Sequence, residues 1–289
     1  MKYLHFSCCI PYLYLLNLTS TNMRNITIFA LLLFSHYVYA NSGWIVTTRY
    51  YNSLENPANA RLEQVYMLNG FMKTVNGDLS TVFDMKNGEI VYINNSNQTY
   101  WKGKPDKFNA EVKADLEQMI EQKLNGIEEE QKEAMRQVYN EVLKASFPDV
   151  EVEQTPRNFS VQKEETNDMV SGYNTLKFQV YEDGILLETL WIASDLMISK
   201  DFSFVDLSHF LNNLSRGAYS TSFESSKEYF DLLEQGYPVK IEMTKSDGYN
   251  YVSEVVEAKN VELSSKDFSV PKGYTQGTLS DVGVWDAYR

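Results

Sequence analysis

Apolar and polar side chains alternate with a period of two along several short stretches of this chain, and Gly-containing dipeptides separate the stretches. Asn69-Gly70, Asn76-Gly77 and Asn87-Gly88 stand between Leu62–Leu68, Phe71–Val75, Leu79–Met85 and Glu89–Ile93, and Asn95-Ser96-Asn97 precedes Gln98–Trp101. Asn-Gly between alternating runs supplies the positive-φ pair that a tight hairpin turn demands, so this region reads as an antiparallel meander. Asp183-Gly184 joins Thr175–Tyr181 to Ile185–Ile192, and Asp247-Gly248 joins Val239–Lys245 to Tyr249–Leu263, each a predicted hairpin. Leu176, Phe178 and Val180 alternate with Lys177 and Gln179, as Val239, Ile241 and Met243 do with Lys240, Glu242 and Thr244. One face of each hairpin is therefore expected in a core and the other in water. The last strand loses phase near Glu257, which predicts a bulge.

Between the two sheet regions the period changes. Phe108, Val112, Leu116, Met119, Ile120 and Leu124 recur at three- and four-residue spacing before Asn125-Gly126, the pattern of an amphipathic helix with a Gly stop. A second helix is predicted from Ile127, with Glu128, Glu129 and Glu130 in its first turn and Met135, Val138, Val142 and Leu143 on one stripe before Phe147-Pro148. The two form a helical hairpin over 106–147. Two shorter helices follow, one with Leu207, Phe210, Leu211 and Leu214 on one face, the other opening with the capping-box pattern Ser225-x-x-Glu228 and closing at Gly236. Strands, then helices, then strands describe an α+β domain rather than a βαβ array. The stretch Asp149–Asn167 is polar and poorly patterned, and there is no internal repeat or low-complexity tract.

The first forty residues have another character. They contain no Asp or Glu, only Lys2 and Arg24 as basic residues, and both cysteines, Cys8 and Cys9. Met23-Arg24-Asn25 is a short positive leader, Ile26–Val38 an apolar run interrupted by Thr27, Ser35 and His36, and Val38-Tyr39-Ala40 fits small-x-small cleavage. A signal peptide cleaved between Ala40 and Asn41 is expected, with translation starting at Met23 rather than Met1. The run falls short of the ~20 apolar residues a membrane span needs, so no stable membrane anchor is expected. Cleavage takes two of the 26 basic side chains and none of the 39 acids, leaving a formal charge of −15. So acidic a surface repels nucleic-acid phosphates, and no nucleic-acid partner is expected. The remaining chain has no cysteine, so packing alone must hold it in an oxidising compartment.

Several short segments carry a resemblance. Trp44 to Tyr51, Thr81-Val-Phe-Asp84 with Lys86-Asn-Gly-Glu89 and Gln98-Thr-Tyr100, Gly172-Tyr-Asn-Thr-Leu-Lys177 with Glu188-Thr-Leu-Trp191, and Phe268-Ser-Val-Pro-Lys-Gly-Tyr274 resemble a family of secreted bacterial domains catalogued as a domain of unknown function. That family is similar in turn to the periplasmic lipoprotein-carrier (LolA/LolB-like) fold. The resemblance implies a strongly curved antiparallel β-sheet, a half-open barrel, whose concave side is covered by the helical hairpin and the two short helices. It implies one domain over 41–274 with an apolar interior able to hold an acyl chain or hydrophobic peptide, while the long helical hairpin and the tail over 275–289 depart from the carriers. It supplies no catalytic residue.

Catalytic chemistry finds little purchase. After cleavage His209 is the one histidine, set in Asp206-Leu-Ser-His-Phe210. Ser208 is its immediate neighbour on a predicted helix, and residues one apart do not face each other, so a surface or capping role fits better than a triad. A lone histidine without cysteine excludes the usual zinc, copper and iron ligand sets, and no Asp-x-Asp-x-Asp-Gly loop offers a calcium site, so neither metal nor cofactor is expected. Gly-rich phosphate loops are missing too. Carboxylate pairs such as Asp183 with Glu188 or Glu254 with Glu257 are expected on wet strand faces as solvated charge. Tyr66, Phe83, Tyr92, Tyr100 and Trp191 are expected as core or cross-strand pairs.

The expected function is a non-catalytic periplasmic binding module for a hydrophobic ligand, whether lipid, acyl chain or lipoprotein. The alternative is a cell-envelope structural or protein-interaction domain with a filled core, and a carboxylate-dependent hydrolase comes last. A carrier requires a ligand-sized apolar cavity of ~300 Å³ or more, an interaction domain a packed interior with an exposed apolar patch.

Overall fold

The computed structural model describes residues 41–147, 157–216, 218–244 and 250–284. The expected signal peptide, its cleavage bond at Ala40, the alternative start at Met23 and the Asp247-Gly248 turn lie outside these residues.

Among the described residues twelve strands form one open, curved sheet: β1 Asn41–Asn52, β2 Arg61–Leu68, β3 Phe71–Asn76, β4 Leu79–Asp84, β5 Glu89–Asn94, β6 Thr99–Gly103, β7 Phe159–Val170, β8 Tyr173–Glu182, β9 Ile185–Ala193, β10 Tyr237–Thr244, β11 Asn250–Leu263 and β12 Thr275–Gln276. Their spatial order is β12-β6-β5-β4-β3-β2-β1-β11-β10-β9-β8-β7. Every neighbouring pair is antiparallel except β12 with β6. The meander β2 to β6 and the hairpins β8–β9 and β10–β11 stand as the alternation predicts. The expected bulge also appears: register slips between Thr47 and Thr48, opposite Val255 and Glu257.

Among the described residues five α-helices accompany the sheet: α1 Pro105–Leu124, α2 Glu129–Ser146, α3 Phe204–Leu214, α4 Lys227–Leu233 and α5 Leu279–Val282. The helix-covered face packs in three groups. Val46, Met67, Val239 and Val255 meet Phe204 and Leu207 of α3; Ile90 and Trp101 meet Phe108 of α1, Phe210 of α3 and Leu279 of α5; Phe178, Val180, Leu190 and Ile192 meet Leu232 and Tyr229 of α4. On the opposite face Leu68, Val82, Val91 and Ile93 are covered by the segment that follows β11, through Phe268, Val270 and Tyr274. Phe268 stacks on Phe71 at 5.4 Å between ring centroids, and the Tyr274 hydroxyl donates to Asn95 Oδ1 at 3.0 Å. The Phe-x-Val-Pro-x-Gly-Tyr signature is thus the clasp over the second face.

Four sequence expectations need correction. The expected tail after Tyr274 is part of the fold: β12 extends the sheet and Leu279 and Val282 are fully buried, because two apolar side chains one helical turn apart fill the space beside Trp101. The polar stretch before Asn167 contains most of β7, an edge strand whose alternation is broken by a register slip between Lys163 and Asn167. The N-cap of α4 is Ser226, whose side chain accepts from Tyr229 N, rather than Ser225, whose hydroxyl donates to the Ser222 carbonyl. Finally, both turn residues have positive φ at Asp183-Gly184, whereas in the three Asn-Gly turns only the glycine does.

Candidate functional site

The Ser203 side chain caps α3 by accepting from Asp206 N at 3.1 Å, which leaves Phe204, Leu207, Phe210 and Leu214 to meet the sheet. Phe210 packs edge-on against Phe83 of β4 at 5.7 Å. Two mouths open on either flank of this helix. One, of about 360 Å³, lies between the Ser199–Val205 segment and Phe230, Leu233 and Glu234 of α4 and its end. The other, of about 440 Å³, lies between Asp206, His209, Phe210 and Asn213 of α3 and the turns carrying Asn69-Gly70 and Lys86. Asn69 borders both. The turns approach closely because of Gly70: its φ is +83° and a Cβ there would collide with the Lys86 side chain. Each mouth mixes phenyl rings with charged groups, Lys200, Asp201 and Glu234 in the first and Lys86 and Asp206 in the second. His209 is exposed on the rim of the second.

Beneath the helices runs a strip of acids and tyrosines. Tyr50 of β1 donates to Glu63 Oε1 of β2 at 3.4 Å, and its hydroxyl is pushed up to about 12 by loss of water and then by the Glu63 charge. Burial raises Glu63 as well, and Tyr237 of β10 is raised by burial and then by Tyr50 and Glu63. Tyr229 of α4 is raised well above its ordinary value by burial, with Tyr237, Glu224 and Glu188 adding to it. Glu188 of β9 is pushed up to about 8 by burial first and the Glu224 charge second, so at neutral pH it holds its proton. The sequence reading of Glu188 as a wet-face acid paired with Asp183 is therefore corrected. Glu188 is 4 % exposed and its electrostatic partner is Glu224, while Asp183 sits exposed in the hairpin turn.

The other face carries a lateral row set by register: Lys177, Trp191, Lys240, Glu254 and Arg49 stand opposite one another across β8, β9, β10, β11 and β1. Lys240 Nζ lies 4.4 Å and Lys177 Nζ 5.5 Å from the Trp191 ring, and Trp191 Nε1 donates to Asp168 Oδ2 at 3.0 Å. Glu254 accepts from Arg49 Nη2 at 2.8 Å, Ser171 Oγ at 2.7 Å and Tyr51 Oη at 3.1 Å. Burial pushes its pKa up, but these three donors outweigh burial and hold it below the usual range. Glu254 is thus a neutralised, buried group, while Glu257 pairs with Lys259 at 2.8 Å, so these two acids do not work as a pair. No cluster of three or more metal-ligating side chains occurs among the described residues, and no described helix is long and apolar enough to cross a membrane.

A family model described as "Domain of unknown function (DUF4412)" matches residues 93–274, well over half of the chain. No curated protein sequence matches the chain. Among solved structures, one of PNGF-II in the P21 space group is 12 % identical at a TM-score of 0.34, covering 85 % of this chain and 34 % of that one. The chain thus spans about a third of that structure's length. A LolA superfamily protein from Nitrosomonas europaea is 9 % identical at a TM-score of 0.27, covering 80 % of this chain and 91 % of that one.

Proposed function

We propose that this chain, which belongs to the DUF4412 family of domains of unknown function, is a non-catalytic periplasmic binding module for an amphiphile, with an acyl chain held beneath α3 and a polar head in one of the mouths beside it. The observation that carries this reading is the position of α3. It is a short amphipathic helix laid over a curved sheet, with apolar side chains beneath it and openings of about 360 and 440 Å³ along its two flanks. Both volumes suit a small ligand; the phenyl rings suit its apolar end, and Lys86 beside Asp206, with Lys200 beside Asp201 and Glu234, suit a polar head. Phe204, Leu207 and Phe210 fill the space under α3, so the apolar cavity a carrier requires forms only when α3 lifts, exchanging its contacts with the sheet for contacts with the ligand.

Titration with a fluorescent fatty-acid probe tests the reading. Saturable binding at one probe per chain is expected, weakened at least tenfold by Val205→Trp and Asn213→Trp, two exposed positions that border the mouths. Absence of saturable binding to the native chain overturns it.

A second reading, an interaction domain, draws on the helical hairpin. Met135 and Val138 of α2 are 36 % and 59 % exposed on a helix whose main contact is α1. A pull-down in which Val138→Glu releases an envelope protein while fatty-acid binding is absent would favour it.

A further inference from the structure

The segment after Tyr274 runs from the clasped face, past the edge of β6, to the helix-covered face. Thr275 N donates to the Gln98 carbonyl at 2.9 Å and Gly277 N to the Tyr100 carbonyl at 2.8 Å, so β12 covers a strand edge that would otherwise stand open. Leu279, Val282 and Val284 then join one apolar group with Ile90, Trp101 and Phe108, and all three are buried. A polar grip comes from the turn before β6. Asn94 Nδ2 donates to the Val282 carbonyl and Asn97 Nδ2 to the Asp281 carbonyl, each at 2.9 Å. Asn94 Oδ1 accepts from Ser96 N at 2.9 Å and Asn97 Oδ1 from Thr99 N at 3.1 Å, so the turn itself aims both amide groups.

These contacts make a groove that reads a short peptide: main-chain pairing on a strand edge, donors for two backbone carbonyls, and an apolar recess for three side chains. The segment carries its own order. Thr278 N and Oγ1 donate to Asp281 Oδ2 at 2.9 and 2.8 Å, a capping box that sets α5. None of the groove residues adjoins the segment in sequence, so the same segment from a second copy finds the same contacts. Its link to the clasp is short and exposed, Pro271-Lys272-Gly273, and Gly273 turns at φ +89°. A Cβ there meets open space, so what the closed link demands of Gly273 is the positive φ alone. A short hinge that must turn tightly invites the segment it carries to exchange between copies. The match to the family model also stops at Tyr274, just ahead of this segment.

We propose that the groove beside β6 is an interaction site for a second copy of this chain, in which two copies pair by exchanging 275–284, each segment seating in the other's groove. Such a pair is twofold and closes on itself, so assembly stops at two copies. The closed chain and the exchanged pair share every contact of the segment. They differ at the link, which in the pair is free to leave positive φ, and in the cost of bringing two copies together. The balance therefore shifts with concentration and with the residue at position 273. The pairing concerns the β6 end of the sheet and does not depend on a ligand beneath α3.

Size-exclusion chromatography with light scattering, on the full chain from micromolar to millimolar concentration, tests this. A concentration-dependent dimer is expected, and Gly273→Val, which strains the closed link, should form it at a concentration at least tenfold lower. Cysteine pairs report which copy supplies the segment. In chains carrying Cys8→Ser and Cys9→Ser, a Ser280→Cys chain mixed with an Asp115→Cys chain should form a disulfide between copies, because Ser280 Oγ lies 3.2 Å from Asp115 Oδ2. Ser265→Cys, exposed and outside the groove, should not link to Asp115→Cys. If Gly273→Val does not fold, the cysteine pairs on the native link carry the test. A chain that stays monomeric at millimolar concentration with no 280–115 link between copies, or a dimer whose copies link equally through position 265, overturns the proposal.

Discussion

At Glu188 the fold holds a carboxyl whose pKa burial, and then Glu224, push up to about 8 from an ordinary 4.5. The folded chain therefore binds that proton more tightly than the unfolded chain does. This contribution to stability is fully present below about pH 4.5, declines as pH rises, and is gone above about pH 8. At about 1.4 kcal/mol per unit the decline amounts to a few kcal/mol. Glu188→Gln should therefore raise the melting temperature at pH 8 and leave it nearly unchanged at pH 5. Equal shifts at both pH values in thermal unfolding would contradict the assignment. Glu254 behaves in the opposite sense because Arg49 and two hydroxyls meet its charge. Removing the cation strands a carboxylate that is 8 % exposed. Arg49→Met should cost about 3 kcal/mol in urea unfolding, and the double variant Arg49→Met/Glu254→Met should recover most of it. Neither acid could be read from its neighbours in sequence. Alternation marks Glu188 and Glu254 as polar positions, while their burial comes from 3-10 turns about 35 residues away in one case and from Arg49 on β1 in the other.

Elements whose side chains obey one period are legible, and elements built by tertiary packing are not. The strands β2 to β6 and β8 to β11 follow the alternation closely, and α1 and α2 follow their three- and four-residue spacing. The edge strand β7 fails that test because Lys163, Glu164 and Glu165 sit at its bulge and both of its faces are largely wet. Ser225 and Ser226 offer equivalent caps in sequence, and the Ser225 hydroxyl is taken by the preceding 3-10 turn. Ser226→Ala should therefore cost about 1 kcal/mol, and more than Ser225→Ala, in denaturant unfolding. Gly236 closes the same element for a reason sequence does not disclose: its φ is +154° and any Cβ would collide with the Ala193 carbonyl. Helix α2, packed chiefly on α1, should exchange its amide hydrogens much faster than the central strands β1 and β11.

Across the whole molecule, one sheet presents a helix-covered face and a face clasped by the segment after β11, and the last described residues seal the end of the sheet near β6. A chain ending at Tyr274 loses the burial of Leu279, Val282 and Val284, worth about 2 kcal/mol each, and should melt well below the full chain or fail to fold. The resemblance in the clasp motif and the regular spacing of hairpins made the architecture legible, whereas the contents of the concave side were not, because helix packing over a sheet leaves no local period in the strands. The proposed binding role rests on that content. Native mass spectrometry of the chain purified from a bacterial envelope, with lipid extraction of the same sample, tests the binding role most directly. The account predicts a bound amphiphile at up to one per chain, absent from Val205→Trp; a bare chain from envelope and from lipid-supplemented samples alike would contradict it.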